Sequence, residues 1–135
     1  MNHHVQGPFD VKVLPRKADN PQAEKSGVGR MSLDKQFHGA LDATSQGEML
    51  ALRNEAGNSG GYVAIERVTG TLDGRSGSFA LQHSSTMHKG AQHQNINVIP
   101  GSGTGELAGL SGSMVIVIAE GGKHSYDFTY SLAGE

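Results

Sequence analysis

Residues 61–83, "GYVAIERVTGTLDGRSGSFALQH", contain two alternating apolar runs joined by the dipeptide Asp73–Gly74. Asp-Gly between alternating runs is the strongest short-range signal for a β-hairpin with a two-residue loop. That loop pairs Leu72 with Arg75 and, by period-two counting, Glu66 with Leu81 and Ala64 with His83. Successive side chains on a strand point to opposite faces, so a slip of one residue would turn every apolar group outward. In this register one face collects Tyr62, Ala64, Glu66, Val68, Phe79, Leu81 and His83. The other collects Arg67, Thr69, Ser78, Gln82 and Ser84. The first is the inner face.

The same alternation recurs at 9–13, 30–37, 41–52, 78–87, 93–99, 113–119 and 124–132. With 61–70 that makes about eight strands, all separated by turn signals, the pattern of a sandwich or a closed barrel. A three-residue loop "HGA" (38–40) sets Phe37 opposite Leu41 and gathers Met31, Leu33, Lys35, Ala43, Ser45, Gly47 and Met49 on one face. A four-residue loop "KGAQ" (89–92) sets His88 opposite His93 and turns Ile96 and Val98 inward. At "EGG" (120–122) a three-residue loop with a left-handed glycine unites Met114, Ile116 and Ile118 with His124, Tyr126, Phe128 and Tyr130; a two-residue loop would split them. The only helical turn expected is "PQAEK" at 21–25.

The phrase "TGTLDGRSGS" (69–78) returns as "TGELAGLSGS" (104–113). Two copies are too few for a solenoid or propeller, so they read as similar corners of one closed sheet. Twenty glycines without a collagen-like period fit many tight turns.

A chain of 135 residues is one domain, spanning 1–135. Eleven basic against thirteen acidic side chains provide no basic face for nucleic acid or for an anionic membrane. Cysteine is absent, which excludes disulfides and thiolate metal sites. The N-terminal "MNHHVQGPFD" has no apolar signal core and no apolar run is long enough to span a bilayer, so the expectation is cytoplasmic. "GNSGG" (57–61) fits a nucleophile-elbow pattern but no helix follows it, and "GSGTGE" (101–106) lacks the lysine and helix of a phosphate loop. Both are turns.

The blocks "GRMSLDKQFHGALDATSQGEML" (29–50), 61–83, "PGSGTGELAGLSGSM" (100–114) and "HSYDFTY" (124–130) resemble bacterial domain-of-unknown-function family 3224. "SGTGELAGLSG" (102–112) is similar to a strand–turn phrase of allene oxide cyclases and dirigent proteins. That resemblance implies an all-β, closed antiparallel barrel of about eight strands, allene oxide cyclase-like, with an internal cavity for a hydrophobic small molecule. It also implies a homo-oligomer. It carries over no catalytic residue.

The register itself supplies candidates. Glu66 and His83 are inward-facing diagonal neighbours on adjacent strands, within reach of each other. A carboxylate in an apolar barrel has a raised pKa and an imidazole ordinarily titrates near neutrality, so the two make a catalytic acid/base pair. The alternative is a mutually satisfied pair that fixes strand register. Tyr62, Tyr126, Tyr130 and His124 would line the same interior as ligand-binding groups or pack as core. Lys35, also inward, would pair with Glu66, bind an anionic group, or extend to solvent. No cofactor is expected, and the seven histidines fall on differing faces, so no metal site is expected either. The reading is a small-molecule-binding barrel with isomerase- or cyclase-type acid/base chemistry, or else a filled, non-catalytic structural or interaction barrel. Whether it is an enzyme is left open by the residues.

Overall fold

The Asp73–Gly74 turn anchors the architecture. Both residues have positive φ (50° and 81°) and the register beyond them runs Leu72 to Arg75, Glu66 to Leu81 and Ala64 to His83, as the alternation requires. The computed structural model describes residues 2–134. Their elements are β1 (His3–Arg16), α1 (Pro21–Ser26), β2 (Gly29–Phe37), β3 (Leu41–Arg53), β4 (Gly60–Leu72), β5 (Arg75–His88), β6 (Ala91–Val98), β7 (Thr104–Gly105), β8 (Leu110–Ile118) and β9 (His124–Leu132). Eight strands pair antiparallel in the cyclic order β4-β3-β2-β1-β9-β8-β6-β5, closed by β5 on β4, and β7 adds to β5.

One circuit of the barrel can be followed residue by residue. From Val5 it passes through Phe128, Met114, Ile96, His83, Ala64, Met49 and Met31, and it returns to β1 at Pro15. The ladder therefore climbs along β1 in closing, which is the stagger that tilts the strands of a barrel. All of them but Pro15, which is exposed at the end of the barrel, lie on the inner face.

Two connections differ from expectation. Phe37 pairs with Ala43, not Leu41, because β3 begins early and Leu41 joins the ladder to β4 opposite Leu72. The β5–β6 loop is the two residues Lys89–Gly90, both at positive φ, so His88 faces Ala91 and His83 faces Ile96; His88 and His93 do not meet. Both shifts are even, so every side chain keeps its assigned face. At 120–122 the three-residue loop holds: Ile118 pairs with His124, and Gly121 has φ 82°. The α-helix α1 is capped by the Asn20 side chain, which accepts from the Ala23 amide at 2.8 Å.

The repeated phrase has a direct structural role. Its two copies lie beside one another, Thr104 against Ser78 and Gly105 against Gly77, while Gly77 also faces Gly70. A Cβ on Gly77 would stand 2.1 Å from the Thr104 carbonyl oxygen, so only glycine lets three backbones run this close. The phrase's leucine, Leu72 or Leu107, is driven into the core in each copy. Only the first copy is a hairpin; the second adds β7 to the free lower edge of β5.

The apolar core fills the end of the barrel nearest these turns. Phe79 stacks on Phe128 at 5.8 Å between ring centroids, and Phe37 meets Tyr126 edge-on at 5.7 Å. Leu41, Leu72, Leu81, Leu107 and Met114 close around them. No helix among the described residues is long and apolar enough to cross a membrane.

Candidate functional site

Four adjacent strands deliver four polar side chains to one point inside the barrel: Lys35 from β2, Ser45 from β3, Glu66 from β4 and His83 from β5. The register makes this unavoidable. Lys35 is directly opposite Ser45, Gly47 is opposite Glu66, and His83 lies one inward step from the partner of Glu66. All four are buried, Glu66 at 1 % exposure.

Glu66 is the hub. Its Oε2 accepts from Lys35 Nζ at 2.7 Å and is 2.5 Å from His83 Nε2; its Oε1 accepts from Ser45 Oγ at 2.6 Å. The Lys35 ammonium also lies over the Phe9 and Phe37 rings, at 5.2 and 5.8 Å from their centroids. Gly47 makes room for the hub, since a Cβ there would approach the Glu66 Cα to 2.7 Å.

This arrangement reverses the expected titration of Glu66. Burial alone is the largest single influence and pushes its pKa upward. The His83 hydrogen bond and the charges of Lys35 and His83 act together in the other direction and bring it down to about 2. Glu66 is an anion, not a reservoir of protons. An ionised carboxylate only accepts hydrogen bonds, so His83 presents Nε2–H to it and Nδ1 is the ring nitrogen that Glu66 does not engage.

Tyr62 and Ser85 lie next along the same inner face toward the open end. The Tyr62 ring is 6.3 Å from the His83 ring, and Gln92 Nε2 donates to Ser85 Oγ at 3.3 Å. Burial raises the Tyr62 pKa, the Ser85 hydroxyl opposes that shift, and the Glu66 charge adds to it. The phenol is therefore protonated at neutral pH and is a hydrogen-bond donor.

Above them is a cleft of about 510 Å³ at the barrel mouth. Met31, Met49 and Met87 form its apolar collar, with Arg53 at the rim and Tyr62, Ser85 and Gln92 supplying polar atoms. Methionine side chains are flexible and polarizable, and they adapt to irregular apolar shapes. No acidic side chain lines this cleft.

The other sequence candidates lie elsewhere. Tyr126 Oη donates to the His38 carbonyl at 2.7 Å and accepts from the Leu41 amide at 3.1 Å, fastening the β2–β3 connection. Tyr130 Oη bonds to the Asp73 carboxylate at the turn, and its ring stacks on His3. His124 packs against Phe9, 5.3 Å between ring centroids, beside a separate surface cleft at the β8–β9 hairpin. Thus Glu66, His83, Lys35 and Tyr62 are brought together, whereas Tyr126, Tyr130 and His124 are not. Ser45 and Ser85 complete the cluster and were not singled out from sequence, although strand parity alone places both on the inner face. Among the described residues no group of three His, Asp or Glu side chains is placed to hold a metal ion.

Comparison with known proteins agrees with this fold. No curated protein matches the chain. A crystal structure of a protein of unknown function from the DUF3224 family of Shewanella oneidensis MR-1 is similar along its whole length, with 45 % identity, a TM-score of 0.90 and complete coverage of both chains. The family profile described as "Protein of unknown function (DUF3224)" matches residues 5–130, and the chain belongs to that family.

Proposed function

We propose that this barrel, in the cytoplasm, binds a hydrophobic or amphipathic small molecule at its mouth and exchanges a proton with it through His83. The observation that carries the reading is the apolar cleft that ends on Tyr62 and Ser85, directly above a buried carboxylate–imidazole pair. A mostly apolar pocket with a few convergent polar groups is the usual form of a ligand site.

In this scheme Glu66 is a positioning residue. It fixes the imidazole tautomer, and Lys35 and Ser45 hold the carboxylate in place. His83 Nδ1 takes a proton from an activated C–H or O–H of the ligand, the imidazolium keeps its Nε2–H on Glu66, and the same nitrogen returns the proton to another ligand atom. Tyr62 donates a hydrogen bond to the oxygen on which negative charge develops. The net change is an isomerisation or cyclisation with no redox step.

One observation favours a second reading. Glu66 already accepts from three donors, and no buried side-chain polar atom among the described residues lacks a partner. A cluster so complete also serves as a register lock in a barrel that binds nothing.

Native mass spectrometry of the protein as purified from cells, with a denatured control, separates the two. A retained small molecule that is lost in Met49→Lys and His83→Gln, with folding intact, supports the pocket. A bare mass, with His83→Gln nearly as stable as the wild type, supports the lock.

A further inference from the structure

The outside of the barrel holds a second apolar surface, which adjoins the mouth cleft at Leu52 and Gly61. Leu50, Leu52, Val63 and Ile65 point away from the interior and are 46–57 % exposed. Their register sets them side by side: Leu50 pairs with Val63, Leu52 with Gly61 and Glu48 with Ile65. The adjoining outward positions on β5, Gln82, Ser84 and Thr86, carry no charge. Contiguous apolar surface of this kind on a folded chain marks an interaction site.

We infer that this wall is the interface of a homodimer, in which two copies pack face to face about a two-fold axis running along the strands between β3 and β4. Such an axis places each β3 residue over its own register partner on β4 of the second copy. Leu50 then covers Val63 of the second copy, and Leu52 falls on Gly61. The missing side chain at Gly61 leaves a shallow depression of about 390 Å³, lined in part by Val28, Leu50, Leu52 and Val63. One surface thus supplies both the projection and the hollow that receives it, which is the requirement for a self-complementary contact.

Charge agrees with the same axis. Glu48, whose Oε1 already accepts from Arg30 of its own chain at 2.8 Å, is brought over Ile65 of the second copy, and its Oε2 lies on the side of that copy's Arg67, the next outward residue along β4. Arg67 makes no ion pair within its own chain among the described residues. A further exposed apolar strip, Val115, Val117 and Ile118 on β8, lies three strands from β4.

Sedimentation of the full chain at about 50 µM tests the interface by mass action. The wild type runs at twice its 14.1 kDa chain mass. Leu50→Lys and Val63→Lys, at positions exposed in the single chain, keep the far-UV spectrum but weaken the dimer at least about tenfold, because each places an unpaired charge in the contact. Val117→Lys remains dimeric. Arg67→Glu weakens association. A monomeric wild type, a wild-type mass above the dimer, a dimer that survives Leu50→Lys, or one that dissociates with Val117→Lys overturns the assignment.

Discussion

The ionisation of Glu66 yields a quantitative prediction about stability and pH. The folded chain holds this carboxyl at about 2 against an ordinary value of 4.5. Each unit of difference corresponds to about 1.4 kcal/mol, so the folded state favours the anion by roughly 3 kcal/mol. Glu66 is almost wholly buried, so solvent screening does not erode this figure. Because the folded pKa is the lower one, the contribution is complete above about pH 5 and disappears as pH falls through the folded value near 2. Glu66→Gln keeps the shape and imitates the protonated acid. It should cost about 3 kcal/mol at pH 7, and the difference from wild type should shrink below about 1 kcal/mol by pH 2. Urea unfolding followed by far-UV circular dichroism is the suitable assay, since the chain has no tryptophan to report by fluorescence. A difference that stays constant from pH 7 to pH 2 would refute the reasoning, because the anion would then not be what the cluster stabilises.

Three further outcomes follow from local geometry. Gly47→Ala places a Cβ 2.2 Å from the Ile65 carbonyl oxygen and 2.7 Å from the Glu66 Cα, both backbone, so it should cost about 2–3 kcal/mol in the same urea assay. Tyr126→Phe removes the donor to the His38 carbonyl and leaves the Leu41 amide without its acceptor; a loss of about 1–3 kcal/mol is expected, and no loss would mean that water replaces the phenol. Lys89 holds φ at 49°, a conformation asparagine tolerates better. Lys89→Asn makes the hairpin turn Asn-Gly and should raise stability by about 0.5–1 kcal/mol, measured as a higher urea midpoint.

Strand faces were legible in the sequence because they depend only on parity. The β2–β3 and β5–β6 loops both differ from expectation, yet Met31, Lys35, Ser45, Ile96 and Val98 keep their faces, since each register moved by an even number of residues. What could not be read was where hydrogen bonding stops. Leu41 looks like the partner of Phe37 across a short loop, but its amide goes to Tyr126, a residue distant in sequence. Lys89 is an unusual residue for a left-handed position, so the sequence does not mark Lys89–Gly90 as a two-residue loop. The second copy of the repeated phrase was harder still. It has the glycines of the first but no Asp-Gly at its centre, and it lies against the first copy instead of forming a hairpin of its own.

The candidate site shows why a residue's burial does not fix its chemistry. Glu66 on an inward face invites a raised pKa, which would make it the acid of a pair. The outcome turns on how many donors the neighbouring strands aim at it, and there are three: Lys35, Ser45 and His83. Parity placed all of them on the interior, and the pairing of four adjacent strands, β2 to β5, brings them to one carboxylate. Once the anion is fixed, any proton that moves has to move on His83, on Tyr62 or on the ligand. The division between Glu66 and His83 also separates the two readings. A register lock needs the charge on Glu66 and is indifferent to His83 Nδ1, whereas proton exchange needs that nitrogen and uses the charge only to orient it. A variant that keeps the Nε2 contact while blocking Nδ1 therefore distinguishes them. His83→Gln, whose amide N–H can still donate to Glu66, should preserve most of the stability under either reading and should abolish chemistry under only one.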